Sequence, residues 1–283
     1  MRTREEQVYW LVAAHSKEKK AILQALYRSG GRQSITDVPV QGTFWSEERL
    51  IQGGLVLEQL ENLGGRMITL WDEEYPDVLR VALKTSAPLV LYAIGDVTLL
   101  RRSKKVAFAG SRNACQEAIA LSRKIADAFV RVGYTIVTGF APGIDRNVTQ
   151  AALHSGGATI GVLPQGLIRK ETQSLIRQFW RFISNGQLLL VSEVHPYAPW
   201  HAQYAMMRNR IIAGLADQLV VGQSSVKVSE SKGKKRFSGT WHCAEVARKI
   251  GKPVYVLDLP IAGNQALIRE GIAVPWSDAL LPR

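Results

Sequence analysis

The chain has 283 residues, 46% of them hydrophobic, enough for one or two domains with a sizeable core. Its 36 Lys and Arg against 24 Asp and Glu give a net charge of +12, which favours a polyanionic partner because basic side chains that neutralise phosphates release condensed counterions. Two cysteines, Cys115 and Cys243, with no CxxC pair argue against zinc or a disulfide framework, and no run approaches the roughly 18 apolar residues of a membrane span. The charged N-terminus MRTREEQVYWLV lacks a cleavable apolar run, so a cytoplasmic protein without membrane association is expected.

Residues 5–65 read as helical. Val8, Leu11 and Val12, then Ile22, Leu23 and Leu26, recur at three- and four-residue spacing; Gly30-Gly31 interrupts the pattern. Ser46, followed by Glu47 and Glu48, has the character of a helix start, and Gly64-Gly65 closes that stretch. From there the texture changes. Apolar runs of strand length fall at Met67–Leu70, Leu89–Ile94, Val106–Ala109, Thr135–Thr138, Thr159–Leu163, Leu188–Ser192, Gln218–Val221 and Val254–Leu257. Helical segments are predicted between them at 115–132, 143–154, 173–184, 204–214 and 240–250. Strands regularly separated by helices imply right-handed crossovers and a mostly parallel sheet covered on both faces, with ligands held at the carboxyl ends of the strands. The expected architecture is therefore α/β: a helical module at 1–65, the sheet domain at 66–260 and a tail at 261–283. The polar stretch Ser224–Lys235 is expected to be an exposed loop.

The chemistry-bearing residues lie just after the strands. Gly110-Ser111-Arg112 offers a close backbone approach, a hydroxyl and a bidentate cation ahead of a helix N-terminus, a combination suited to phosphate. A plain strand-to-helix turn would look the same. Gly139 and Gly143 flank a second turn, in which Asp145 either faces a ligand or complements the helix dipole. A third loop carries Gly166, Arg169 and Lys170; Arg208, Asn209 and Arg210 open a helix, where a solvated basic face is the plainer reading. Lys234, Lys235 and Arg236 lead into Ser238-Gly239-Thr240, another small-residue helix start. His195, Tyr197, Trp200 and His201 lie in the loop after Ser192-Glu193, where aromatics either stack on bases or simply pack the loop.

In order along the chain, GSR, TGFAPGID, GGATIGVLPQGL, SE, RNRIIAGLAD, SGT and KPVYV, preceded by ITLWD and PLVLY, resemble the DprA/Smf family of DNA-processing proteins over about residues 65–258. The resemblance implies a Rossmann-like core and a non-enzymatic protein with no cofactor. It would bind single-stranded DNA, protect incoming or exposed strands and assist a RecA-type recombinase, and a homodimer is expected. The implied groove comprises Gly110, Ser111, Arg112, Gly139, Gly143, Arg169, Lys170, Arg208, Asn209, Arg210, Ser238 and Gly239. Arg112 would grip a phosphate, and Arg210 the strand backbone or a buried acid. Two departures stand out. Ala205-Met206-Met207 replace a Pro and further arginines of the family, a loss of charge for which the basic stretch 227–236 could compensate; residues 261–283 are too few for a winged-helix domain. The alternative is a nucleotide sensor or nucleotide N-glycosidic hydrolase of the related lysine-decarboxylase-like group, with Glu245 as catalytic acid; the spacing from Gly239-Thr240 is too long for that pattern.

Overall fold

A computed structural model describes residues 2–30, 34–38, 45–231 and 234–281. Three helices come first: α1 (Arg4–Ala14), α2 (Lys19–Arg28) and α3 (Glu47–Asn62). Thr3 starts α1 through a capping box, its hydroxyl accepting from the Glu6 amide while the Glu6 carboxylate accepts from the Thr3 amide. The chain then alternates: β1 (Gly65–Thr69), α4 (Asp77–Leu83), β2 (Val90–Ile94), β3 (Lys105–Ala109), α5 (Gln116–Arg131), β4 (Thr135–Thr138), α6 (Ile144–His154) and β5 (Thr159–Val162). After these come α7 (Lys170–Gln178), α8 (Trp180–Ser184), β6 (Leu188–Ser192), α9 (Ala202–Met207), α10 (Asn209–Leu215) and β7 (Gln218–Val221). The last elements are β8 (Val228–Ser231), β9 (Lys234–Phe237), α11 (Gly239–Lys249), β10 (Val254–Val256), α12 (Ala262–Arg269) and β11 (Val274–Pro275).

Among the described residues nine strands form one sheet in the order β1-β2-β6-β5-β4-β3-β7-β10-β11. The run from β6 to β11 is parallel, and β2 joins β6 and β1 antiparallel. The α/β, mostly parallel architecture read from the strand and helix alternation is thus present. Residues along β3 alternate between two cores, as the two-residue period of a strand requires: Val106 and Phe108 pack with Phe129, Ile144 and Val148 under α5 and α6. Ala107 and Ala109 join the opposite core, which extends without a break to Trp10, Leu11, Ile22, Leu26, Leu57 and Leu60 of the first three helices. Each such large side chain, buried rather than exposed, contributes about 1.5–3 kcal/mol. The amphipathic face of α5 (Ala118, Ser122, Ile125, Ala126, Phe129) shows why this segment is a helix laid on the sheet.

The topology fixes where a ligand can sit. From β3 the chain winds outward through β4, β5 and β6, then returns to the other flank of β3 at β7. Loops leaving the carboxyl ends of β3 and β7 therefore diverge and open a crevice at this switch point. Two segments differ from their sequence readings. The stretch read as a loop at 224–235 holds an antiparallel hairpin, β8–β9, with Val228 opposite Phe237 and Ser229 opposite Arg236. The stretch read as a tail supplies α12 and the sheet's edge strand β11, paired parallel to β10. Asn264 secures it, its Nδ2 donating to the carbonyls of Gly222 and Leu257 and its Oδ1 accepting from the Ser224 amide.

Candidate nucleic-acid interface

A cavity of about 740 Å³ occupies the crevice between β3 and β7. The turn Gly110-Ser111-Arg112-Asn113 forms one wall, and the start of α11, Ser238-Gly239-Thr240, forms another. The Ser111 amide donates to the Gln223 carbonyl at 2.8 Å, and the Cys115 amide donates to the Gln223 side-chain oxygen at 2.8 Å, tying the loop after β3 to the loop after β7. Ser111 Oγ accepts from the Asn113 amide at 3.1 Å, which curls the turn. Two positions require glycine. Gly143 has φ +81°, and a Cβ there would strike the Ser111 carbonyl. A Cβ at 139 would overlap the Arg208 guanidinium.

Ser238 caps α11, its Oγ accepting from the Trp241 amide at 3.2 Å. Asn209 holds that helix start from below: its Nδ2 donates to the Gly239 carbonyl at 2.9 Å and lies 3.2 Å from His242 Nδ1. Asn209 is 4% exposed, so its role is to position the α11 N-terminus, whose free amides and dipole face the cavity. Arg112 is exposed at the rim, with Cζ 5.1 Å from the centre of the Trp200 ring, a cation–π contact. Trp200 and Phe237 are 50% and 68% exposed and both line the opening. Arg236, from β9, completes a cationic rim.

The floor is different in kind. Arg208 and Asp145 line it, 8% and 4% exposed, and neither Arg208 Nε nor Asp145 Oδ1 has a hydrogen-bond partner. Burial pushes the Asp145 carboxyl up to about 6, against the opposing pull of Arg208 and of backbone amides at Ala141, Gly139 and Gly110. Burial lowers the Arg208 guanidinium from its ordinary value, Asp145 partly offsetting that. Cys243, also at the floor, is pushed up to about 12 by burial and stays a neutral thiol.

Of the positions singled out from sequence, Gly110, Ser111, Arg112, Arg208, Asn209, Arg236, Ser238 and Gly239 converge on this cavity. Gly139 and Gly143 stand behind it as packing positions for Arg208 and the Ser111 turn. Arg210 turns away: its guanidinium grips Glu193 with two nitrogens, one at 2.6 Å, and its Nε donates to the Ser86 carbonyl at 2.8 Å. Glu193 is 3% exposed, so this is an internal ion pair that ties α10 to β6 and α4's trailing turn. Arg169 and Lys170 begin α7 and do not line the cavity; Arg169 pairs with Glu171 at 3.3 Å. Lys235 is exposed on β9 outside the lining, and the Lys234 side chain lies outside the described part of the chain, as does Lys232. Glu245 also lies off the cavity, bound to Lys227 at 2.7 Å. Sequence reasoning missed Phe237 altogether, because a hairpin that carries it to the rim reads as a charged linker.

The fold and this crevice define a Rossmann-type protein with a phosphate-suited, aromatic-rimmed cleft at its switch point. Residues 66–279 match the family model of the DNA recombination-mediator protein A, and the chain belongs to that family. It is 30% identical over 230 residues to the DNA processing protein DprA of Bacillus subtilis, covering 78% of this chain and 72% of that one. To the DprA of Streptococcus pneumoniae it is 33% identical over 190 residues, covering 65% and 62%. The alignment with a putative DprA of Mycobacterium tuberculosis spans 56% of that protein. The crystal structure of the Streptococcus pneumoniae DprA superposes with a TM-score of 0.75 at 24% identity over the full length of both chains, and so shares the fold. A structure titled for the single-stranded DNA binding mode of DprA from Helicobacter pylori superposes with a TM-score of 0.59 at 25% identity, covering 74% of this chain and 90% of that one.

Proposed function

We propose that this protein binds single-stranded DNA in the cleft between β3 and β7 as a non-enzymatic, cytoplasmic DNA-processing protein of transformation or recombination. The observation that carries the reading is the convergence of Arg112, Arg236, the GSR turn and the amide-bearing start of α11 on one opening, with Trp200 and Phe237 beside them. Cations and helix amides suit a phosphate backbone, and exposed aromatics suit bases that are not paired. A duplex keeps its bases stacked inside and cannot use those rings. Arg112 and Arg236 are the phosphate contacts of this reading; Gly139 and Gly143 support the cleft from behind, and Arg210 is held away from it by Glu193. Family membership extends the proposal to strand protection, a RecA-type recombinase as partner and a homodimer.

Fluorescence anisotropy with a labelled oligonucleotide tests it. Single strand should bind more tightly than duplex of the same length, and Arg112→Ala should weaken binding for all sequences alike. Equal affinity for the two forms, or an Arg112→Ala variant of unchanged affinity, would sink the assignment.

A further inference from the structure

Among the described residues none of the helical module lines the cleft, yet α3 has a face with the marks of a contact surface. The helix turns Val56, Leu57 and Leu60 into the core, and its opposite side carries Glu47, Ile51, Leu55 and Glu58 at the spacing of a single stripe. Ile51 and Leu55 are 55% and 47% exposed, an apolar pair one turn apart. Two adjacent glycines interrupt the middle of α3, and they differ. A Cβ at Gly53 would meet Val8 Cγ1 at 3.0 Å, so the packing of α3 on α1 accounts for that glycine. A Cβ at Gly54 would meet nothing within 4 Å. Glycine in a helix interior costs stability relative to alanine, and no neighbour in the chain requires it at 54. A second backbone approaching from outside, across Ile51 and Leu55, would require it.

Charge decides the kind of partner. Arg4 borders the stripe on one side, donating to the Gly54 carbonyl at 3.1 Å and pairing with Glu61. Among the described residues Glu47, Glu48 and Glu58 have no ion-pair partner. On a chain of net charge +12 this face is a local exception, which repels a phosphate backbone and attracts a cationic surface. Glu48 also stands at a cavity of about 820 Å³ between α3 and the end of α1, with Leu11, Val12 and Val56 in its lining, so a recess for a side chain adjoins the stripe. We propose that the outward face of α3 docks a basic amphipathic helix of a partner protein. Apolar side chains of that helix rest on Ile51 and Leu55 over Gly54, and its lysines or arginines meet Glu47, Glu48 and Glu58. The face is separate from the single-strand cleft and does not depend on it.

The test uses a labelled peptide of about 18 residues, long enough to hold a helix, that repeats leucine and lysine in an amphipathic pattern. The net charge of the chain opposes unspecific attraction of this cationic peptide, so binding to the full chain reports a local site. The wild-type protein should bind it, and joint Ile51→Ser and Leu55→Ser substitution, at two exposed positions, should weaken it about 10-fold. Joint Glu47→Gln and Glu58→Gln substitution should weaken it too, more at low salt than at high. Gly54→Gln should raise the Tm, because glutamine is the better helix former, and yet weaken the peptide; a role confined to the fold would not move the two in opposite directions. Single-strand affinity should fall in none of these variants, and a fall would put α3 on the path of the strand and overturn the proposal. No binding of the peptide by the wild-type chain, or binding that the serine substitutions leave unchanged, would overturn it as well. So would loss of self-association in the serine variant on sedimentation, which would give the face to a second copy of this chain.

Discussion

At the scale of single residues, the motif RNR shows how far a sequence motif can mislead about direction. Arg208, Asn209 and Arg210 read locally as a basic face at a helix start, while the family resemblance allowed Arg210 a buried acid; the acid is Glu193, with Arg208 beneath the cleft and Asn209 on the α11 start. Burial of a guanidinium is a tertiary outcome that no local spacing encodes; the signal that existed was Ser192-Glu193, an acid at the end of an apolar strand with nowhere polar to go. Arg210→Ala leaves the Glu193 carboxylate buried without its cation, and among the described residues only Lys19, at 4.0 Å, remains as an ion-pair partner. That variant should lose about 3–5 kcal/mol in a denaturant melt, whereas joint replacement of both residues by apolar side chains of similar volume should recover most of it. Asp145 makes a second prediction at this scale. Its folded value, about 6, exceeds the ordinary value of 3.8, so between those limits the folded state holds the proton more tightly than the unfolded chain. Stability from this group is therefore present at the acid side of the window and lost as pH rises through about 6. Asp145→Asn removes the titration. Between pH 5 and 7 the difference in Tm between variant and wild type should move in the variant's favour by a few degrees, on the order of 1 kcal/mol. A difference constant with pH would refute the raised value.

At the scale of elements, legibility followed burial. β2, β3 and β6 are buried at every position, and such strands appear in a sequence as unbroken apolar runs, so their places were readable to within a residue or two. β8 and β9 were not readable because they lie on the surface as an isolated two-stranded ribbon, mostly charged and polar. The edge strand β11, Val274–Pro275, is two residues long and exposed, so it carries no alternation at all. The hairpin's exposure makes a prediction. Val228 and Phe237 are 41% and 68% exposed, and the pair contributes little to either core. Replacing residues 228–237 by a short Gly-Ser turn should leave the Tm within about 2 °C, as for changes away from packed features. It removes Arg236 and Phe237 from the rim, so single-strand affinity should fall by more than the Arg112→Ala change alone. A large loss of Tm with affinity retained would show the hairpin to be part of the framework rather than of the cleft.

At the scale of the whole molecule, a net charge of +12 attracts any polyanion, and affinity alone cannot separate a built cleft from a diffuse field. The salt dependence can. Each phosphate contact on a single strand contributes about −0.7 to the slope of log K against log salt, and that contribution belongs to the contact, not to the net charge. Arg112 stands on the cleft rim; Lys249 is also exposed but sits in the last turn of α11, about 15 Å along the helix from the residues of its start that line the cleft. Removing either lowers the net charge by the same one unit. At physiological salt the Debye length is about 8 Å, shorter than that separation, so Lys249 is screened from a strand lying in the cleft. Anisotropy titrations between 50 mM and 300 mM salt should therefore give a slope shallower by about 0.7 for Arg112→Ala and again for Arg236→Ala, with Lys249→Ala following wild type. If Lys249→Ala and Arg112→Ala flatten the slope equally, the strand follows the field of the molecule and the cleft between β3 and β7 is not its path.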